Sequence, residues 1–141
     1  MNNFELKLIV DINEIKKLSK KIKKNKLCFL FPKKINLNEY FYAFYDKFTN
    51  NIISFIWFGI YSNNIFDKYI HINYSYTITE YRSNGLNTLL RYEIEKMAKL
   101  KKINIIISIP FENANSNNIL IKLGYEKKYF LSNYYYLKKV L

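Results

Sequence analysis

The chain is poor in the residues that staple, bend or ligate. A single cysteine, Cys28, stands among 141 residues, so no intrachain disulfide can form and no cysteine-based metal site is expected. Flanked by Leu27, Phe29, Leu30 and Phe31, it reads as a small core residue. Three glycines and two prolines exclude collagen-like and low-complexity architectures. One histidine, His71, cannot supply a His-based ligand set, so no metal is expected. Nothing in the spacing pairs it with a serine or cysteine to raise nucleophilic catalysis above background. No apolar run approaches the ~20 residues of a membrane span, the longest being Ile52 to Tyr61. The first ten residues alternate and lack the continuous apolar core of a signal peptide. The expectation is a cytoplasmic protein with no membrane partner.

What is present is aromatic and basic. Hydrophobic residues make up 50% and aromatics 18%, which argues against disorder. The formal net charge is +12, yet Arg82 and Arg91 are the only arginines and every other cation is lysine. Abundant Asn, Ile, Lys, Tyr and Phe are the residues favoured by AT-rich coding, so part of the charge is compositional. A basic surface attracts anions, but a nucleic-acid partner is not the expectation. The same charge argues against polycations as partners, since like charges repel on approach.

The patterning predicts one domain over 1–141. Phe4 to Val10 alternates as a strand. Asp11 and Glu14 have capping-box spacing, and Ile12, Ile15, Leu18 and Ile22 mark the buried stripe of a helix. Its lysines read as a solvated face, with a docking site for an acidic partner as the alternative. Tyr40 to Tyr45 and Ile52 to Tyr61 read as a hairpin around Asp46 to Asn51, followed by a strand from Tyr69 to Thr79. A helix from Leu86 to Lys99 has Leu86, Leu89, Leu90, Ile94, Met97 and Leu100 on its apolar side. Ile103 to Ile109 reads as a strand buried on both faces. A short helix over 115–123 stops at Gly124, and Tyr129 to Leu141 closes the chain as two strands turning near Ser132-Asn133. The fold class is mixed α/β (α+β), a sheet of six to seven strands flanked by helices.

Two stretches carry chemistry. Thr79-Glu80-Tyr81-Arg82-Ser83-Asn84-Gly85-Leu86-Asn87-Thr88 joins a strand directly to a helix. A helix start exposes unpaired N–H groups and a positive dipole end, and glycine admits close approach. That suits a pyrophosphate, and equally a purely structural turn. Downstream of the buried strand come Asn113 and then Lys122-Leu123-Gly124-Tyr125. On the strand before the turn, His71, Asn73, Ser75 and Thr77 fall on one face by alternation, a polar row opposite Ile70, Ile72, Tyr74 and Tyr76.

In the order and spacing of Arg82, Gly85, Asn113, Lys122, Leu123, Gly124 and Tyr125, the chain resembles the GNAT N-acetyltransferase superfamily. The likeness is strongest from Tyr69 to Tyr125. It implies a single-domain enzyme that transfers acetyl from acetyl-CoA to a primary amine, on a small molecule or peptide, by direct attack on the thioester. It implies that the strand from Tyr69 splays from Ile103 to Ile109 to admit the pantetheine arm. Ser75, Tyr76 and Thr77 would line that arm, with Asn113 and Ser116 further along it. Arg82, Ser83, Asn84, Gly85, Leu86, Asn87 and Thr88 would hold the pyrophosphate. His71, eleven residues before Arg82, falls where several members carry a base, and imidazole suits that task. Two departures stand out. Asn87 replaces a Gly or Ala, and Leu120 replaces a tyrosine that protonates the departing thiolate. They leave open a catalytically weak or inactive CoA-binding module that uses its lysines on an acidic partner or nucleic acid. The closing Tyr134-Tyr135-Tyr136 strand alternates between core and a dimer contact, so a homodimer is also open.

Overall fold

Alternating and β-branched segments form the strands, and the leucine-spaced segment forms the longer helix. The computed structural model describes residues 4–9, 13, 17, 36–82, 84–109 and 114–140. Strands β1 (Phe4–Ile9), β2 (Glu39–Asp46), β3 (Ile52–Asn63) and β4 (Asp67–Thr77) come first, then a 3-10 turn at Thr79–Tyr81. Helix α1 (Leu86–Leu100), β5 (Ile105–Ser108), helix α2 (Ala114–Lys122), β6 (Glu126–Phe130) and β7 (Asn133–Lys139) complete the order. Of the helix expected after Asp11, only Asn13 and Lys17 lie within the described residues; both are helical and exposed. Its apolar stripe and Cys28 lie outside them.

The strands form one sheet in the order β1-β2-β3-β4-β5-β7-β6. Every pairing is antiparallel except β4 with β5, the pair that α1 connects. One face is covered by α1, whose Leu90, Ile94 and Ala98 pack with Ile56, Phe58, Ile70 and Ile72. The opposite face carries a second core of Phe41, Ala43, Tyr45, Ile52, Phe55 and Tyr76.

Two expectations are corrected in detail. β6 begins at Glu126, not Tyr129, because Gly124 at φ +91° turns the chain straight into a strand. Tyr125 N–H donates to Leu120 O at 2.9 Å and Gly124 N–H to Ile121 O at 3.0 Å, the paired bonds of a Schellman ending. All five β6 residues are exposed, so there was no buried alternation to read. Leu100 is 84% exposed, because the buried stripe of α1 runs through Leu86, Leu90, Ile94 and Ala98 and takes in Arg91.

The end of α1 repeats the Schellman geometry with the wrong residue type. Ile103 N–H donates to Ala98 O at 2.8 Å and Lys102 N–H to Lys99 O at 3.2 Å, with Lys102 at φ 57°. A lysine there bears a left-handed conformation that glycine adopts freely. Lys102→Gly is expected to raise stability by about 0.5 kcal/mol, after the entropy that glycine adds to the unfolded chain. The check is an increased urea midpoint at unchanged m-value.

Candidate active site

The site is organised by a bulge in β4. Phe58 pairs with Ile72 and Trp57 with Tyr74, leaving Asn73 as an extra residue without a partner on β3. An extra residue breaks the period-two alternation. Ile70 and Ile72 therefore lie on the α1 face, whereas Tyr74 and Tyr76 pack with the opposite core. Thr77 is on the α1 face, its Oγ1 2.8 Å from Ser54 Oγ, and Ser75 pairs with Ile56 on that face too. His71 pairs with Gly59 and stands on the other face, edge to face with Tyr61 at 6.2 Å. The single polar row expected from sequence is thus split: Ser75 and Thr77 face α1, and His71 faces away.

The same bulge opens the sheet. β4 and β5 pair only through Ile70–Ile106, His71–Ile107 and Ile72–Ser108, with a last bond of 3.5 Å from Ile109 N–H to Ile72 O. Pro110 follows in the sequence and has no N–H to continue the ladder. Among the described residues, β4 beyond Ile72 pairs with β3 alone. Ile78 N–H donates to Ile53 O on the β3 side at 2.8 Å. Main-chain groups alternate along a strand, so those of Ser75 and Thr77 face the opened edge. The Ser75 hydroxyl is buried beside this opening with no hydrogen-bond partner.

Helix α1 starts next to the end of β4. Gly85, its N-cap residue, has φ 72°, supplies no side-chain cap, and would meet nothing within 4 Å if it carried a Cβ. The N–H groups of Leu86, Asn87 and Thr88 have no intrahelical acceptor and sit at the positive dipole end. Arg82 Nε–H donates to Thr77 O at 3.1 Å, and its guanidinium lies 5.6 Å from the Tyr76 ring centroid. Asn84 Nδ2–H donates to Tyr81 O at 2.9 Å. Asn87 Oδ1 accepts Arg91 Nε–H at 2.9 Å, so its side chain is tied to the next helical turn. Arg91, 3% exposed, also donates to Ser108 Oγ at 3.3 Å at the base of the opening, and burial lowers its pKa. Tyr76 has its ring in the opposite core and meets this group through the Arg82 guanidinium. Ser83, Asn113 and the side chain of Ser116 lie outside the described residues.

On the far face, the His71 ring is oriented by Asn73, whose Oδ1 lies 2.7 Å from Nδ1. An amide oxygen only accepts, so Nδ1 carries the proton and neutral imidazole presents its lone pair at Nε2. Leu120 is fully buried in the α1-side core. A phenol at that position would have to displace core packing, typically at ~1–3 kcal/mol.

Sequence reasoning missed Glu39, Gly59 and Tyr61. The signal was an isolated glycine inside a strand, which marks close approach of another group. A Cβ on Gly59 would lie 2.5 Å from the Tyr61 hydroxyl. A concavity of about 450 Å³ bordered by Leu37, Tyr40, Ile60 and Lys68 contains none of the predicted residues. Among the described residues, no cluster of His, Cys, Asp and Glu could hold a metal ion. No described helix is long and apolar enough to cross a membrane.

This architecture is the fold of GNAT-family N-acetyltransferases. No protein-family model matches the sequence, and no curated protein matches it. Among solved structures, an acetyltransferase of the GNAT family from Staphylococcus aureus is similar at 12% identity and TM-score 0.73, over 97% of this chain and 100% of that one. Arabidopsis thaliana Naa50, in complex with the bisubstrate analogue CoA-Ac-MVNAL, is similar at 12% identity and TM-score 0.71, over 97% of each chain. The PaiA N-acetyltransferase from Thermoplasma acidophilum, in complex with coenzyme A, is similar at 20% identity and TM-score 0.62, over 89% of this chain and 70% of that one.

A latch holds the turn that precedes α1. Tyr81 O–H donates to Asp46 Oδ2 at 2.9 Å, while Phe48 and Thr49 N–H groups donate to Oδ1 at 2.8 and 3.2 Å. The Tyr81 hydroxyl, then the two N–H groups, hold the Asp46 carboxyl below its usual range. A lowered folded-state pKa adds stability that is complete above the unfolded value of ~3.9 and is lost as pH falls. Tyr81→Phe should therefore be less stable than wild type near neutral pH, with the gap in urea midpoint closing under acid. A gap that persists unchanged into acid would detach Asp46 from the latch.

Proposed function

We propose that this protein is an acetyl-CoA-dependent N-acetyltransferase acting on a primary amine, on a single domain. The observation that carries the reading is the division of labour across β4. Toward α1 lie an opened edge, a buried hydroxyl lacking a partner at Ser75, and an uncapped helix start. Away from it lies one oriented imidazole. The coenzyme A complexes named above support the reading, and so does the MVNAL peptide half of the bisubstrate analogue. In this reading the main-chain groups of Ser75 and Thr77 receive the pantetheine amides and the thioester carbonyl. The N–H groups of 86–88, with Arg82, Asn84 and Gly85 around them, receive the pyrophosphate. Ser83, Asn113 and Ser116 join them by resemblance.

The chemistry needs one proton acceptor and one anion stabiliser. The neutral amine attacks the thioester carbonyl, a C–N bond forms and the C–S bond breaks. N–H donors on the opened edge stabilise the developing oxyanion. His71 Nε2 takes the amine proton, directly or through one water. Leu120 offers no acid, so the sulfur departs as thiolate and is protonated by solvent. That same leucine favours the second reading, a non-catalytic CoA-binding module. Release of free thiol in the presence of assorted amines separates the two.

Two variants test the division. His71→Ala should lower kcat/KM by at least ~10²-fold and leave acetyl-CoA affinity in calorimetry unchanged. Gly85→Glu should lose at least tenfold in that affinity, about 1.4 kcal/mol, with Gly85→Ala as the control for backbone strain at φ 72°. Unchanged affinity in a folded Gly85→Glu protein would remove the helix start from the site.

A further inference from the structure

The proposed reaction leaves one buried carboxylate without a task. Glu39, the first residue of β2, is 9% exposed. Its Oε2 accepts Trp57 Nε1–H at 2.7 Å, and its Oε1 accepts both the main-chain and the side-chain N–H of Asn36. All three contacts are donors, which is what an ionised carboxylate takes. Among the described residues the ion pairs are Lys7–Glu5, Lys96–Glu93, Lys128–Glu126 and Lys138–Glu95, and none reaches Glu39. Cations outnumber acids 23 to 11 in this chain. Among the described residues only these three donors offset its charge, and a cation supplied from elsewhere would stabilise it further.

Its place in the sheet says where that cation comes from. Glu39 pairs with Gly59, and Gly59 pairs with His71. Glu39 and His71 thus stand on one face, in one row across three strands, separated only by a residue with no side chain. Two interstrand spacings put their backbones about 10 Å apart. Over the gap lies the Tyr61 ring, whose Cε2 and Cζ would be 2.6 Å from a Cβ on Gly59. The same ring meets His71 edge to face at 83°. Trp57 closes the row beside Glu39, stacked on Phe41 at 5.7 Å. The result is an aromatic floor with a carboxylate at one end and the imidazole at the other.

We infer that the acceptor carries a second positive charge, held by Glu39 while its other nitrogen is presented to His71. The class is a short aliphatic diamine that fits within this span of about 10 Å. Its methylene chain lies along the Tyr61 ring, and the aromatic walls favour a cation by their negative faces. The net charge of +12 opposes polycations at long range, but that repulsion is screened over about 8 Å at physiological salt. At contact the buried carboxylate sets the sign. This inference rests on the acetyltransferase reading and narrows it.

The test compares putrescine and cadaverine with n-butylamine and n-pentylamine as acceptors, by free-thiol release, in wild type and in Glu39→Gln. Wild type is expected to show at least a tenfold higher kcat/KM for the diamines. Glu39→Gln should cut that preference at least tenfold, by loss on the diamines alone, because glutamine keeps the size and an accepting oxygen. Equal kcat/KM for diamines and monoamines in wild type overturns the inference without any variant. So does a Glu39→Gln protein that loses equally on both, which marks Glu39 as structural. Should no amine be acetylated, the acetyltransferase reading fails by itself. Calorimetric titration of putrescine into the coenzyme A complex then still judges Glu39: binding that Glu39→Gln removes supports the site, and binding that is absent or unaffected rejects it.

Discussion

One residue too many in β4 decides how this protein is arranged. Side chains on a strand alternate between faces, so a chain with an unbroken alternation would aim His71, Ser75 and Thr77 the same way. Asn73 has no counterpart on β3, and its insertion reverses the alternation for everything after it. The reversal sends Ser75 and Thr77 toward α1 and leaves His71 on the far face. The bulged residue is also the one that orients the imidazole, through its amide oxygen. A bulge bends its strand and ends regular pairing, which is how the same residue helps open β4 from β5. A two-substrate reaction benefits from that geometry, because the reactants can approach one carbonyl from opposite sides of a sheet without competing for space.

The electrostatics are local despite a chain-wide excess of lysine. The positive end at the start of α1 is supplied by main-chain N–H groups, fixed by the fold and independent of lysine placement. Arg91, one of two arginines, is buried between that first turn and Ser108 at the end of β5. Because Asn87 is bound to it, the side chain that departs from the family's small residue is drawn along the helix and away from the exposed N–H groups. The Tyr81–Asp46 bond ties the approach to the helix onto the β2–β3 hairpin. The turn is thereby held by neighbours on both sides.

Most of the architecture was legible because burial writes itself into periodicity. The strands from Tyr40, Ile52 and Tyr69, the helix from Leu86 and the stop at Gly124 all follow from spacing and turn chemistry. β6 was misplaced because a fully exposed strand carries no alternation. The polar row on β4 was read as continuous because a bulge is a property of two paired strands, and one sequence segment does not contain its partner's register. Arg91 was missed because a buried guanidinium looks like a solvated one until its partners are seen. Glu39 and Tyr61 gained meaning only when pairing set them beside Gly59 and His71. Gly59 and His71 lie 20 and 32 residues from Glu39 in the chain, and two hydrogen-bonded ladders erase that separation.

The proposed division of β4 into a cofactor face and an acceptor face can be tested at one nucleus. His71 is the only histidine, so its imidazole gives a single Cε1–H resonance that needs no assignment. In an NMR titration of isotope-labelled protein, coenzyme A should move the amides of Ser75, Thr77, Gly85 and Leu86 while the imidazole resonance stays in place. Subsequent addition of an amine acceptor should move the imidazole resonance. A coenzyme A titration that shifts the imidazole and leaves the amides of Ser75 and Gly85 unmoved would contradict the two-faced arrangement at its root.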